Sequence, residues 1–208
     1  MSIQFPDPLT SADANGLVAI GYGLQPEVLL AAYRRGIFPW YAEGQLPLWW
    51  SPDPRMVLFP DEFYCATRLA RRMRQARYRC TWNHNFSAII HACAAPRHGN
   101  VETWILPEMI EAYKQLHTLG YAHSIEVWDN HRLIGGLYGV FIDQIFFAES
   151  MFSHARDGSK MALATLVERA KNEQWKVIDV QFHTDHLASL GAHEISRSDF
   201  IAMLTLPQ

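Results

Sequence analysis

An aspartate and a glutamine two residues apart, Asp179 and Gln181, stand in the apolar run Val177-Ile-Asp-Val-Gln-Phe182. The run reads as a strand because it is β-branched and apolar and is followed by a polar, turn-like cluster. Alternation puts Val177, Asp179 and Gln181 on one face and Ile178, Val180 and Phe182 on the other. Strands avoid aspartate, so one in mid-strand calls for a reason. A salt-bridged structural carboxylate is the plain reason. The chemical one is an acid and an amide facing a cavity, where a carboxylate moves a proton and an amide aligns a nucleophile. A second carboxylate, Glu149, lies in Phe146-Phe-Ala-Glu-Ser-Met-Phe152, a predicted strand with Phe147, Glu149 and Met151 on one face. Burying it costs several kcal/mol unless it is paired. It therefore marks either a structural ion pair or a socket for a cationic group.

Other residues suit nucleic acid. Six of the eighteen basic residues are arginines between Arg68 and Arg79, a window without an acid. On a helix Arg68, Arg71 and Arg72 share a face, with Arg74 close by. A solvated face is one reading; an unneutralised arginine cluster, suited to bidentate phosphate contact, is the favoured one. In Trp49-Trp-Ser-Pro-Asp-Pro-Arg55 two prolines exclude helix. One of the paired indoles anchors a core, and the other offers a base-stacking platform, as does Trp104; such stacking contributes about 1–3 kcal/mol per base. Gly36-Ile-Phe-Pro-Trp40 reads only as a turn and helix stop.

Several chemistries are disfavoured. His183, Asp185, His186, His193 and Glu194 match no zinc spacing, so no metal is expected. There is no G-x-S-x-G elbow and no recognisable cysteine nucleophile. Arg156-Asp-Gly-Ser-Lys160 opens a helix but is not a P-loop. No cofactor is expected.

These residues need a scaffold. With 208 residues, 49% of them apolar, the chain can bury a core without metals or disulfides. Three cysteines that cannot all pair favour a reducing compartment, and no signal peptide or membrane-length apolar run is present, so a cytoplasmic, non-membrane protein is expected. The net charge of −3 hides the arginine cluster. A helix is predicted at about 25–35, with Leu29, Ala32 and Tyr33 as its apolar stripe and Gly36 as its stop. Short strands flank it around Leu17–Ile20 and Met56–Phe59. Beyond residue 62 come the arginine helix, a strand near Tyr78–Trp82, and helices near Phe86–Ala94 and Pro107–Leu119. Strands at Ser124–Trp128, Leu133–Phe141 and Ile145–Met151 are next, joined by hairpin turns at Asp129-Asn130 and Asp143. A helix at Ser159–Lys171, the Asp179 strand, a short helix after Thr184 and a last helix near Ser198–Leu204 complete the order. Hairpins leading into a β-α-β crossover predict an α+β fold with a mixed sheet. A small N-terminal α/β domain, 1–61, is expected before a catalytic domain, 62–208.

Taken together these segments resemble the leucyl/phenylalanyl-tRNA–protein transferase family. The resemblance runs over nearly the whole chain and rests on Gly36-Ile-Phe-Pro-Trp-Tyr41, Leu48-Trp-Trp-Ser-Pro-Asp-Pro-Arg55, His123-Ser-Ile-Glu-Val-Trp128, Gly135-Gly-Leu-Tyr-Gly-Val140, Glu149-Ser-Met-Phe-Ser153, Asp179-x-Gln181 and Asp185-His-x-Ala-Ser-Leu-Gly-Ala192. It implies an acetyltransferase-like (GNAT) catalytic domain. It also implies transfer of Leu, Phe or Met from aminoacyl-tRNA to the α-amine of a protein with N-terminal Arg or Lys, marking that protein for the N-degron pathway. By the same resemblance Asp179 and Gln181 are the catalytic pair, Trp49 and Trp104 lie at the terminal adenosine, and Glu149 is near the acceptor peptide. The helix of Arg68, Arg71, Arg72 and Arg74 contacts the acceptor stem. Gly21-Tyr-Gly-Leu24 departs from the family's usual Gly-Gly-Asp-Leu, and the chain stops at Gln208, short of the extension some members carry.

An aminoacyl ester is already open to attack, so the protein need mainly align an amine and accept a proton. Gln181 is expected to accept a hydrogen bond from the amine, with Asp179 orienting it or relaying the proton. Phe147 and Met151 are expected to line an apolar side-chain pocket. A monomer is expected. The rivals are a non-catalytic RNA-binding module and an acetyl-CoA-dependent acetyltransferase, the latter suggested by fold alone.

Overall fold

The computed structural model describes residues 3–96 and 103–205. The first elements are α1 (Pro8–Ser11), β1 (Leu17–Ile20), α2 (Pro26–Tyr33), β2 (Phe38–Pro39), β3 (Leu48–Trp50) and β4 (Arg55–Leu58). Next come α3 (Thr67–Met73), β5 (Tyr78–Trp82), α4 (Phe86–Ala94), α5 (Pro107–Thr118), β6 (Ala122–Asp129), β7 (Arg132–Ile142) and β8 (Ile145–Ser153). The last are α6 (Gly158–Asn172), β9 (Val177–Gln181), α7 (Asp185–Ala188), β10 (His193–Ile195) and α8 (Arg197–Thr205).

Local chemistry explains most of these boundaries. Pro26 opens α2, and Gly36, at φ +72°, turns the chain after it in the left-handed region that glycine tolerates. Asn85 caps α4 by accepting from the Ala88 N–H at 3.0 Å. Asp143 and Gln144, at φ 51° and 67°, make the tight β7–β8 turn whose twist suits a hairpin.

β1, β3 and β2 form a small antiparallel sheet in that spatial order. The main sheet has seven strands in the order β10-β4-β9-β8-β7-β6-β5. Every neighbouring pair in it is antiparallel except β8–β9, which is parallel and joined through α6. The expected mixed α+β architecture is therefore present. β4 lies within the expected 1–61 span yet pairs with both β9 and β10, so the main sheet draws a strand from that span.

One core, on one face of the sheet, joins the small sheet and α2 to α4 and α5 through residues such as Leu29, Trp49, Ile90 and Tyr113. The other core lies under α6 and includes Met56, Val127, Leu166 and Ile178.

Two of the main sheet's strand irregularities lie in β8 and β9, on either side of the parallel junction. Tyr138 pairs with Ser150 and Gly139 with Ala148, so Glu149 is the extra residue of a β-bulge in β8. Met56 pairs with Gln181 and Val57 with Asp179, so Val180 is the extra residue of a bulge in β9. Bulges bend a strand and re-aim its side chains. The parallel β8–β9 ladder stops at Phe147↔Asp179, although β8 runs on to Ser153. Beyond that pair the two strands part and a gap opens between them.

Candidate active site

Asp179 is fully buried and faces Arg55. The Arg55 Nε donates to Oδ1 at 2.8 Å and Nη2 donates to Oδ2 at 2.7 Å, a two-pronged match of guanidinium to carboxylate. The remaining Arg55 nitrogen, Nη1, donates to the Gly36 carbonyl at 3.1 Å. The guanidinium also lies 4.8 Å from the Phe38 ring centroid and 4.6 Å from that of Phe200. The structural reason for an acid in this strand is thus present, and its partner closes the Trp49–Arg55 motif. Sequence reasoning gives Arg55 no part in the site. The available signal is that a buried mid-strand acid demands a cation.

The same carboxylate also holds the neighbouring catalytic candidate. Asp179 Oδ1 accepts from the backbone N–H of Gln181 at 3.1 Å. Gln181 sits at φ 59°, a left-handed conformation unusual for a side-chain-bearing residue. The strand ends there, so Phe182 falls outside β9, one residue short of expectation. The bulge and the turn replace simple alternation. Asp179 stays behind the sheet against Arg55, while Gln181 reaches the gap. The Gln181 Nε2 is buried without a hydrogen-bond partner among the described residues.

That gap is a cavity of about 260 Å³ lined by Trp40, Trp104, Glu149, Gln181, Phe182 and Leu187, among others. Glu149 enters it from the β8 bulge. The Tyr33 hydroxyl, at the end of α2, donates to Oε1 at 2.8 Å. The Tyr113 hydroxyl, on α5, donates to Oε2 at 2.9 Å. The two phenolic oxygens are 2.6 Å apart. Burial pushes the Glu149 carboxyl up to about 7; the two tyrosine hydrogen bonds oppose that shift, Asp179 adds to it and Arg55 opposes it. Burial, and then the nearby Glu149 charge, hold both phenols well above their ordinary range.

The indoles that face the gap are not the pair expected. Trp49 is fully buried, donates its Nε1–H to the Gly21 carbonyl at 2.6 Å, and has no face open to a base. Trp40 is 42% exposed and lines the gap together with Trp104. Both also wall an adjoining cavity of about 380 Å³. Sequence reasoning misses Trp40 because its motif reads only as a helix stop. Gly36 makes that turn, and Trp40 comes out at the rim because of it.

Phe147 and Met151 also leave the places expected of them. Phe147 is fully buried against the Tyr33 ring, 5.0 Å away, and lines none of these cavities. Met151 faces a separate cavity of about 660 Å³ between the end of α4 and the start of α6. The bulge at Glu149 breaks the alternation that would have aligned all three.

Arg68, Arg71 and Arg74 of the arginine segment are exposed. Arg72 is half-buried and pairs with Asp157 at 3.2 Å, a partner no local window of sequence reveals. Arg77 pairs with Asp129 at 3.0 Å. Among the described residues no group of three His, Cys, Asp or Glu side chains is arranged to hold a metal ion, and no helix is long and apolar enough to cross a membrane.

Comparison with known proteins places the chain among relatives of one name. The sequence profile described as leucyl/phenylalanyl-tRNA protein transferase matches residues 57–205. The profile of that family's N-terminal domain matches residues 23–53. The leucyl/phenylalanyl-tRNA–protein transferase of Pseudomonas fluorescens Pf0-1 is 53% identical over 201 residues, 96% of this chain and 88% of its own. That of Azotobacter vinelandii is 52% identical over the same shares. Among solved structures, FemX is similar with a TM-score of 0.52 at 9% identity, covering 82% of this chain and 66% of its own, a likeness of fold alone. Matched over most of its length by both profile and relatives, the chain belongs to the leucyl/phenylalanyl-tRNA–protein transferase family.

Proposed function

We propose that the protein transfers Leu, Phe or Met from aminoacyl-tRNA to the α-amine of proteins with N-terminal Arg or Lys, in the gap between β8 and β9. One observation carries this: two indoles, a carboxylate and an amide whose nitrogen lacks a partner among the described residues meet in that single cavity, backed by a buried ion pair. Trp40 and Trp104 take the terminal adenosine by stacking, which contributes about 1–3 kcal/mol per base. Gln181 engages the reacting centre, its carbonyl accepting from the amine and its free N–H donating to the ester carbonyl. Asp179 is a positioning residue that fixes Gln181 through its backbone N–H. Glu149 receives the acceptor's α-ammonium. Arg68, Arg71 and Arg74 contact tRNA phosphates. The reaction needs no cofactor, because the ester is already activated. We further propose that the protein acts as a monomer, and in the cytoplasm, where aminoacyl-tRNA is available to it. We also propose that residues 1–61 act as a layer carrying Trp40 and Arg55 to the catalytic part rather than as an independent unit.

The test offers radiolabelled Leu-tRNA to peptides differing only in the first residue. Label should appear on peptides beginning with Arg or Lys and not on one beginning with Ala. Label on none of them overturns the transferase reading and leaves RNA binding alone. Labelling by acetyl-CoA instead would support the acetyltransferase.

A further inference from the structure

We propose that Glu149 is the base of the reaction, taking the proton from the acceptor's α-ammonium inside the β8–β9 gap, and that Tyr33 and Tyr113 are positioning residues that hold it there. The inference rests on the reading of that gap as the reaction site, and it goes beyond binding of the amine.

Elimination carries the first step. Asp179 is fully buried, both its oxygens are engaged by Arg55, and Oδ1 also takes the Gln181 N–H. It does not line the cavity. Gln181 has no basic atom at neutral pH. The other lining residues are aromatic, aliphatic or, at Thr184, a hydroxyl. Among the described residues Glu149 is the one ionisable side chain in the lining.

Geometry carries the second step. An ionised carboxylate has about four acceptor positions. Tyr33 and Tyr113 take one on each oxygen, which fixes the plane of the group and leaves the remaining positions for an ammonium in the gap. The groups around it are the phenols Tyr33, Tyr113 and Tyr138, with Asp179 and Arg55 on the β9 and β4 side. An acceptor near 7 lies close to an α-amine's reference value of about 7.7–8.0, the match that proton transfer favours.

The Glu149 carboxylate takes one proton from the α-ammonium, giving a neutral amine and a carboxylic acid. The amine lone pair attacks the ester carbonyl carbon, forming the C–N bond. As the C–O bond to the ribose breaks, the departing oxygen takes the second proton from nitrogen. Glu149 then releases its proton to water, one per peptide bond formed.

The test is single-turnover transfer at saturating peptide across pH. The wild-type rate should rise with pH, with a midpoint below the free protein's value of about 7 because the bound ammonium favours the carboxylate, and that midpoint should stay put for acceptor peptides whose α-amines differ in basicity. Glu149→Gln should lower that rate about 100-fold or more with aminoacyl-tRNA affinity unchanged. Tyr33→Phe and Tyr113→Phe each remove a donor to the carboxylate and should move the midpoint to higher pH. A wild-type midpoint that tracks the peptide amine overturns the proposal without any variant. So does a Glu149→Gln effect confined to peptide KM, or a midpoint unmoved in both tyrosine variants. The underlying site reading fails separately, if Trp40→Ala and Trp104→Ala leave aminoacyl-tRNA affinity unchanged.

Discussion

Arg55 and Asp179 bind each other by two short hydrogen bonds in a place that water does not reach, and this pair is as much architecture as chemistry. Removing one partner strands the other. Arg55→Met should cost about 3–5 kcal/mol in urea denaturation, while Arg55→Met with Asp179→Leu should recover most of that loss. The double variant should still be inactive, because Gln181 loses the carboxylate that fixes its backbone. Two nearby indoles make a sharper contrast. Trp40→Ala should weaken aminoacyl-tRNA binding with the melting temperature little changed, because Trp40 stands at the rim. Trp49→Ala should cost about 3–5 kcal/mol, because it empties a core site. The sequence shows that indoles matter near the prolines. It cannot say which of them is wet, since that depends on the turn at Gly36 and on strand pairing far along the chain.

Among the elements, the long ones are legible in the sequence and the site-forming irregularities are not. α4, α6 and the β6–β7–β8 hairpins come from periodicity, caps and turn residues that act over a few positions. β2, β3 and β10 have two or three residues each, and Pro39 or a histidine-rich neighbourhood masks them. The bulges at Glu149 and Val180 leave no periodic trace, because each is decided by its partner strand. Strict alternation misplaces Phe147 and Met151 for that reason. Close packing is also an element-scale property. A Cβ built on Gly158, at the start of α6, would collide with the Ile134 carbonyl oxygen of β7. Backbone cannot yield there as a side chain would. Gly158→Ala should destabilise by about 1–3 kcal/mol in thermal unfolding, as overpacking does. The α3 surface makes a different prediction. Replacing Arg68, Arg71 and Arg74 with Ala should weaken tRNA binding and reduce the slope of log affinity against log salt by roughly 0.9 for each phosphate no longer neutralised. An unchanged slope would make α3 an ordinary solvated face.

For the whole molecule, two part-buried titrations pull stability in opposite directions. Glu149 is near 7 when folded and near 4.5 as its ordinary value, so folding takes up a proton between those pH values. Its contribution therefore falls as pH rises through that window. His123 is pushed down to about 4 by burial, and then by the neighbouring His117 and Arg169 charges, from an ordinary 6.5. Unfolding takes up a proton there, so its contribution is lost as pH falls from about 6.5 towards 4. The two slopes offset each other in the wild type. Glu149→Gln should unmask the His123 slope, so that stability, measured by urea midpoints, rises with pH between about 4 and 6.5. A flat profile in that variant would refute the account.

The ion pair at the centre of the site also sets a schedule for synthesis. Arg55 and Asp179 are 124 residues apart in the chain. The ring of Phe200, beneath the same guanidinium, comes later still. A growing chain therefore emerges from the ribosome with Arg55 in water for most of its elongation, and neither the pair nor the Gln181 conformation it supports can form before β9 is out. An enzyme whose substrate is charged tRNA is thus unable to draw on that pool until its own translation is nearly over.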